Sequence, residues 1–102
     1  MRDDEILSGN LLDESWLTLE EVAAACTVET HWLERHIEEG LFAEAECVDG
    51  TWRFTSLQMR RARRMHEMER VFDAEPELAA LVADLLEELD ALRARLRQGG
   101  FD

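Results

Sequence analysis

The chain has no lysine at all, so each of its 11 basic residues is an arginine. It has two cysteines, three histidines, one proline and no apolar run near the ~20 residues that a membrane span needs. Each scarcity excludes something. Cys26 and Cys47 lack a CxxC spacing, and no Cys/His cluster accompanies them, so a zinc site is not expected. The N-terminal MRDDEIL has no apolar segment after Arg2, so no secretory signal is expected and cytoplasm is the default compartment. No Ser/His/Asp order, phosphate loop or HExxH motif is present, so no enzyme is expected.

What the chain has is acid. Its 102 residues carry 24 acidic side chains and a net charge of −13, with 46% hydrophobic residues that argue for a folded chain with one small core. The charge is uneven. Residues 1–52 hold 14 acidic and 2 basic residues, 53–72 hold 6 arginines against 2 glutamates, and 73–102 hold 8 acidic residues against 3 arginines. Such a balance disfavours nucleic acid and favours a basic protein partner or plain solubility.

Local signals predict a mostly α fold. Thr18-Leu-Glu-Glu21 is a capping box opening a helix to about Cys26, with apolar positions at Leu19, Val22, Ala23 and Cys26. After a tight turn at Thr27-Val28, a second helix runs from about Glu29 to Glu39 and stops at Gly40-Leu41. Asp49-Gly50 between ECV and TWRF predicts a small β-hairpin wing. Thr55-Ser-Leu-Gln58 is a second capping box, and the helix that follows reaches about Phe72, with Leu57, Met65, Met68 and Phe72 on its apolar face. Pro76 suits the first turn of a last helix. There Leu78, Val82, Leu85, Leu89, Leu92 and Leu96 follow a heptad spacing over roughly 30 Å. That seam either folds back on the core or pairs two copies, with Leu85, Leu89, Leu92 and Leu96 as the dimerisation residues. The expected division is a flexible or partly ordered arm over 1–16, a winged helix-turn-helix over 17–74, a coiled-coil-like helix over 75–98 and a tail over 99–102.

Helix, turn, helix and wing make the layout of a DNA reader, yet the second helix does not have the charge for it. VETHWLERHIEE places Glu29, Glu34, Glu38 and Glu39 against Arg35, and a helix entering a groove lined with phosphates is repelled by such carboxylates. A DNA-binding role would instead fall to Arg53, Arg60, Arg61, Arg63 and Arg64. Trp32, among the charged positions of that helix, suits either an interface anchor or a core residue.

The order of elements resembles the winged helix-turn-helix of MerR-type regulators. Val28 to Leu41 aligns without a gap to the pattern V-S-P-R-T-L-R-Y-Y-E-R-E-G-L, keeping Val28, Leu33, Gly40 and Leu41, while His31, Glu34 and Glu38 stand where the pattern has Arg. Within that group the chain is similar to the CbpM chaperone-modulator family, on its short length, its acidity, TWRF (Thr51–Phe54), RMHEM (Arg64–Met68) and LRARLRQ (Leu92–Gln98). That resemblance implies a protein that binds the J-domain of a DnaJ-like co-chaperone (CbpA), blocking its stimulation of DnaK and restraining its DNA binding. Partner contacts are then expected from Glu29, Trp32, Glu34, Glu38 and Glu39, with no direct DNA binding, no cofactor, no metal and no membrane. The alternative is a MerR-type DNA-binding transcriptional regulator.

Overall fold

The structure is a computed structural model that describes residues 16–43 and 45–99. The elements in order are β1 (Leu17–Thr18), α1 (Leu19–Cys26), α2 (Thr30–Glu38), β2 (Glu46–Val48), β3 (Thr51–Phe54), α3 (Ser56–Phe72) and α4 (Pro76–Gly99). The fold is mostly helical, with a small antiparallel wing and a long C-terminal helix, as the sequence predicts; the wing hairpin gains a third strand, β1. It divides into two compact units, and the division falls inside α3 between Arg63 and Arg64. The expected N-terminal arm lies outside the described residues apart from Trp16, and the tail apart from Gly99.

In the first unit both capping boxes form. The Thr18 hydroxyl accepts from the Glu21 amide at 3.0 Å, and the Glu21 carboxylate accepts from the Thr18 amide at 2.9 Å. Two of the four orphan amides of α1 are thereby satisfied. Gln58 Oε1 accepts from the Thr55 amide at 2.8 Å, and the Thr55 hydroxyl accepts from the Gln58 amide at 3.1 Å. The opposite end of this amide is less well served: Gln58 Nε2 is buried without a hydrogen-bond partner.

Two helices end on the same device. The Leu41 amide donates to the His36 carbonyl and the Gly40 amide to that of Ile37, with Gly40 at φ 80°. This is the Schellman arrangement, and glycine meets its positive φ without strain. At the end of α1 the Val28 amide reaches the Ala23 carbonyl at 2.9 Å and the Thr27 amide reaches that of Ala24 at 3.3 Å. Here the left-handed residue is Thr27, at φ 59°. A β-branched residue in that region costs about 1–2 kcal/mol. Thr27→Gly removes that strain but enlarges the freedom of the unfolded chain. The expected net gain is about 0.5–1 kcal/mol, read as a higher midpoint in thermal denaturation followed by circular dichroism. A lower midpoint would show that Thr27 makes a contact worth more than its strain.

The wing turn has both central residues at positive φ, Asp49 at 54° and Gly50 at 78°, which is the type I′ pattern that matches strand twist. It pairs Glu46 with Arg53, Cys47 with Trp52 and Val48 with Thr51. Strand β1 adds to the other edge of β3, with Leu17 opposite Phe54 and Thr18 opposite Arg53. This pairing joins distant segments and has no local mark in the sequence. Phe54 points inward, fully buried, and meets Phe42 edge-to-face at 6.2 Å. With Val22, Leu33 and Ala62 it forms the centre of the first core. The thiol of Cys26 lies in the same interior and donates to the Met59 carbonyl at 3.7 Å. Burial pushes its pKa up, and the Arg63 guanidinium pulls it part of the way back. Cys47 is free and exposed on β2.

In the second unit Met65 is fully buried on α3, and Ala79, Ala80 and Ala83 are the buried residues of α4. Arg64 and Asp90 join the two helices by an ion pair at 2.9 Å. One apolar expectation is overturned. Leu57 and Phe72 are not on the buried side of α3: each is 66% exposed. Of the two alternatives for the heptad seam, folding back on the core is not what its leucines do: they are turned outward, while small alanines face in.

Candidate functional site

Helix α2 is placed by its inner side. Leu33 is fully buried, His36 is buried, and Ile37 is half-buried. These positions fall at i, i+3 and i+4, one stripe of a 3.6-residue repeat. The opposite stripe, His31, Glu34, Arg35 and Glu38, is exposed. Glu34 and Glu38 lie one turn apart on that stripe. Glu29 and Glu39 flank the helix at its two ends and are also exposed. All four expected carboxylates thus reach solvent, two on the outer stripe and two at the ends. His31 Nδ1 sits 3.2 Å from the Glu29 carboxylate.

Trp32 is half-buried rather than displayed. Its ring stacks on His36, with centroids 3.8 Å apart and planes at 27°. The His36 ring nitrogen Nδ1 lies 2.7 Å from the Trp32 carbonyl, so with the proton on Nδ1 it donates to that oxygen. The imidazole therefore has its place inside the helix rather than on its outer face. Sequence reasoning missed this, although the three-residue step from Leu33 to His36 was there to be read.

The local electrostatics of α2 are mixed. Glu29 at the N-cap and Arg35 in the last turn have the signs the dipole favours, although no side chain caps the helix at Glu29. Glu38 and Glu39 stand at the negative end, and Glu34 and Glu38 repel each other at i, i+4. Each of these last effects costs a few tenths of a kcal/mol or somewhat more at an exposed site.

Several arginines are engaged by the protein. Arg61 donates to the Leu41 carbonyl at 2.9 Å, just past the end of α2, with its guanidinium 5.9 Å from the centre of the Phe42 ring. Arg53 lies over the Trp16 ring at 3.7 Å, a cation–π contact, and stands across the ladder from Glu46. Arg64 is held by Asp90. Arg60 and Arg63 are exposed on the surface of α3.

Residues 17–98 match the family described as MerR HTH family regulatory protein. The chain belongs to this family. No curated protein and no solved structure matches it. The MerR match runs from β1 through nearly all of α4, so wing, helix pair and long helix fall within one family pattern. It is a regulatory family, and the chain is a regulatory domain rather than an enzyme. Among the described residues no group of three or more His, Cys, Asp or Glu is placed to hold a metal ion, and no helix is long and apolar enough to cross a membrane.

Proposed function

We propose that this MerR-family chain is a regulatory module that reads a basic protein surface with α2. The resemblance to CbpM makes the J-domain of a CbpA- or DnaJ-like co-chaperone the partner, and makes inhibition of DnaK stimulation and of the co-chaperone's DNA binding the outcome, in the cytoplasm. The observation that carries the reading is the exposed face of α2, where Glu34 and Glu38 stand on the outer stripe of a recognition helix. Glu29 and Glu39 extend the negative field at its ends. Complementary charge raises the encounter rate and rejects acidic partners. Trp32, half-buried by its stack on His36, supplies apolar contact area on the side of Glu29 and Glu39 rather than on the outer stripe. Two copies pair through Leu85, Leu89, Leu92 and Leu96.

A second reading has its own support. The family's description, a helix-turn-helix regulatory protein, leans toward DNA binding. Against it stand the sign of α2 and the employment of Arg53, Arg61 and Arg64 within the protein. Titration with an isolated J-domain, followed by calorimetry at low and at high salt, separates the readings when set beside a gel shift with duplex DNA. Binding to the J-domain that weakens steeply with salt, and no retardation of DNA at ~150 mM salt, is the expected result. Retardation that survives such salt, without J-domain binding, would establish the DNA-binding regulator instead.

A further inference from the structure

Arg35 is the one arginine between Arg2 and Arg53, and it stands in the acidic helix α2. Its side chain is exposed. Glu38 at i+3 and Glu39 at i+4 are within reach of it on a helix, but arginine N-terminal to glutamate is the weaker order for such a pair. No carboxylate of the described residues pairs with it. In this it differs from Arg53, Arg61 and Arg64, which the protein itself engages. The helix dipole accounts for a cation in the last turn of α2, and a lysine would serve that purpose as well. It does not account for a cation in the path of a basic partner.

At about 100° per residue, Arg35 stands about 60° around α2 from Glu38 and about 60° the other way from Trp32. Glu34 lies beyond Glu38, and Glu39 lies between Arg35 and Trp32. A surface that reaches both the outer carboxylates and Trp32 therefore passes over Arg35. A wholly basic surface would set a cation of its own against that guanidinium, and like charges so placed are costly. Leaving the guanidinium covered without a partner is costly too. We infer that the partner carries a carboxylate opposite Arg35, set between the basic groups that meet Glu34 and Glu38 and the apolar group that meets Trp32. Arg35 is then a specificity-determining residue. It rejects surfaces that are basic throughout, and its planar fork suits a carboxylate held at two points. The inference rests on the protein-binding reading of α2 and adds to it the acidic group that the partner must have.

The experiment titrates the full chain and its Arg35 variants with the isolated J-domain of a CbpA-like co-chaperone, followed by calorimetry. Arg35→Gln is expected to weaken binding roughly tenfold, Arg35→Glu more than that, and Arg35→Lys less. Tighter or unchanged binding by Arg35→Gln would mean a surface that is basic throughout or one that misses Arg35. Either would overturn the inference while leaving the protein-binding reading intact. No binding by the native chain at low salt would overturn that reading, and the inference with it. A role confined to the helix dipole is excluded by the sign of the effect, since it would lower the thermal midpoint of Arg35→Gln slightly and leave the affinity of the folded protein unchanged. A second readout finds the carboxylate. Each exposed Asp and Glu of the J-domain is exchanged in turn for Arg and set against Arg35→Glu. One exchange is expected to restore most of the lost affinity, a coupling that neither single variant shows. Absence of any rescue among folded J-domain variants would overturn the inference.

Discussion

The double substitution Glu34→Arg, Glu38→Arg is expected to abolish J-domain binding, to create affinity for duplex DNA, and to make the protein more stable, all at once. Its binding effect follows from sign. Juxtaposing like charges across an interface costs several kcal/mol, so two reversals at the centre of a helix face amount to at least a hundredfold in Kd. The DNA effect follows from counterion release. Each added phosphate contact steepens the dependence of log K on log salt by about 0.9, so two arginines on the groove-facing stripe add nearly 2. The stability effect runs the other way from the binding effect. Arginine at position 38 complements the negative end of α2. The double change exchanges one i, i+4 repulsion for another but removes two carboxylates from a strongly acidic chain. A gain of about 0.5 kcal/mol, or a few degrees in Tm, is the expected size. Glu34→Gln, Glu38→Gln separates the contributions, since it relieves the repulsion without offering arginines to phosphate. Should the Arg variant keep its J-domain affinity, α2 is not the contact surface and the protein-binding reading loses its support.

Acids placed where a helix least favours them explain why the face is informative. Nothing in the packing of Leu33 or His36 calls for a glutamate at 34 or 38, since both point to water. A surface position free of packing would be filled at lower cost by a neutral or basic residue near this helix end. The wing supplies the contrast. Its Arg53 is set between Trp16 and Glu46, where the charge has an evident use inside the protein.

Much of the fold was legible because its signals are local. Thr18 with Glu21, Thr55 with Gln58, Gly40 with Leu41, and Asp49 with Gly50 each state a boundary within four residues, and each boundary forms. The acidic stripe was legible for the same reason, from i, i+4 spacing alone. What stayed hidden depends on distant partners. Pairing of Leu17 with Phe54 joins residues far apart in the chain, and neither carries a mark of the other. His36 is a different case: its partner Trp32 is one helical turn away, and the three-residue step from Leu33 was the local signal for its burial. Helix α4 shows the most general reason. It has two candidate apolar stripes, one of leucine and one of alanine, and periodicity cannot say which faces in. The alanine stripe does, contrary to a hydropathy ranking but in keeping with close helix approach to small side chains.

Phe54→Ala is expected to be the most destabilising single change in the wing. Phe54 has no exposed surface, and it is the central strand's inward residue, opposite Leu17 and against the edge of Phe42. Truncation removes the transfer free energy of the ring and leaves a cavity, together about 3–5 kcal/mol. A chain of this size has about 5–15 kcal/mol in all, so the variant sits near the limit of folding. Phe54→Leu keeps most of the volume and is expected to cost less, about 1–2 kcal/mol, with the loss of the edge-to-face pair as its main part. Chemical denaturation should show a lower midpoint at unchanged slope for the Leu variant, and for the Ala variant either a much lower midpoint or no folded baseline. The ring matters to the recognition helix as well. Phe42 lies just after the stop at Gly40-Leu41, and Arg61 holds the Leu41 carbonyl from the other side. Loss of Phe54 therefore loosens the end of α2 where Glu38 and Glu39 stand. Phe54→Leu should then lower J-domain affinity by more than its folded fraction accounts for, whereas an equal destabilisation made at Met65, in the second unit, should lower it only in proportion to the folded fraction.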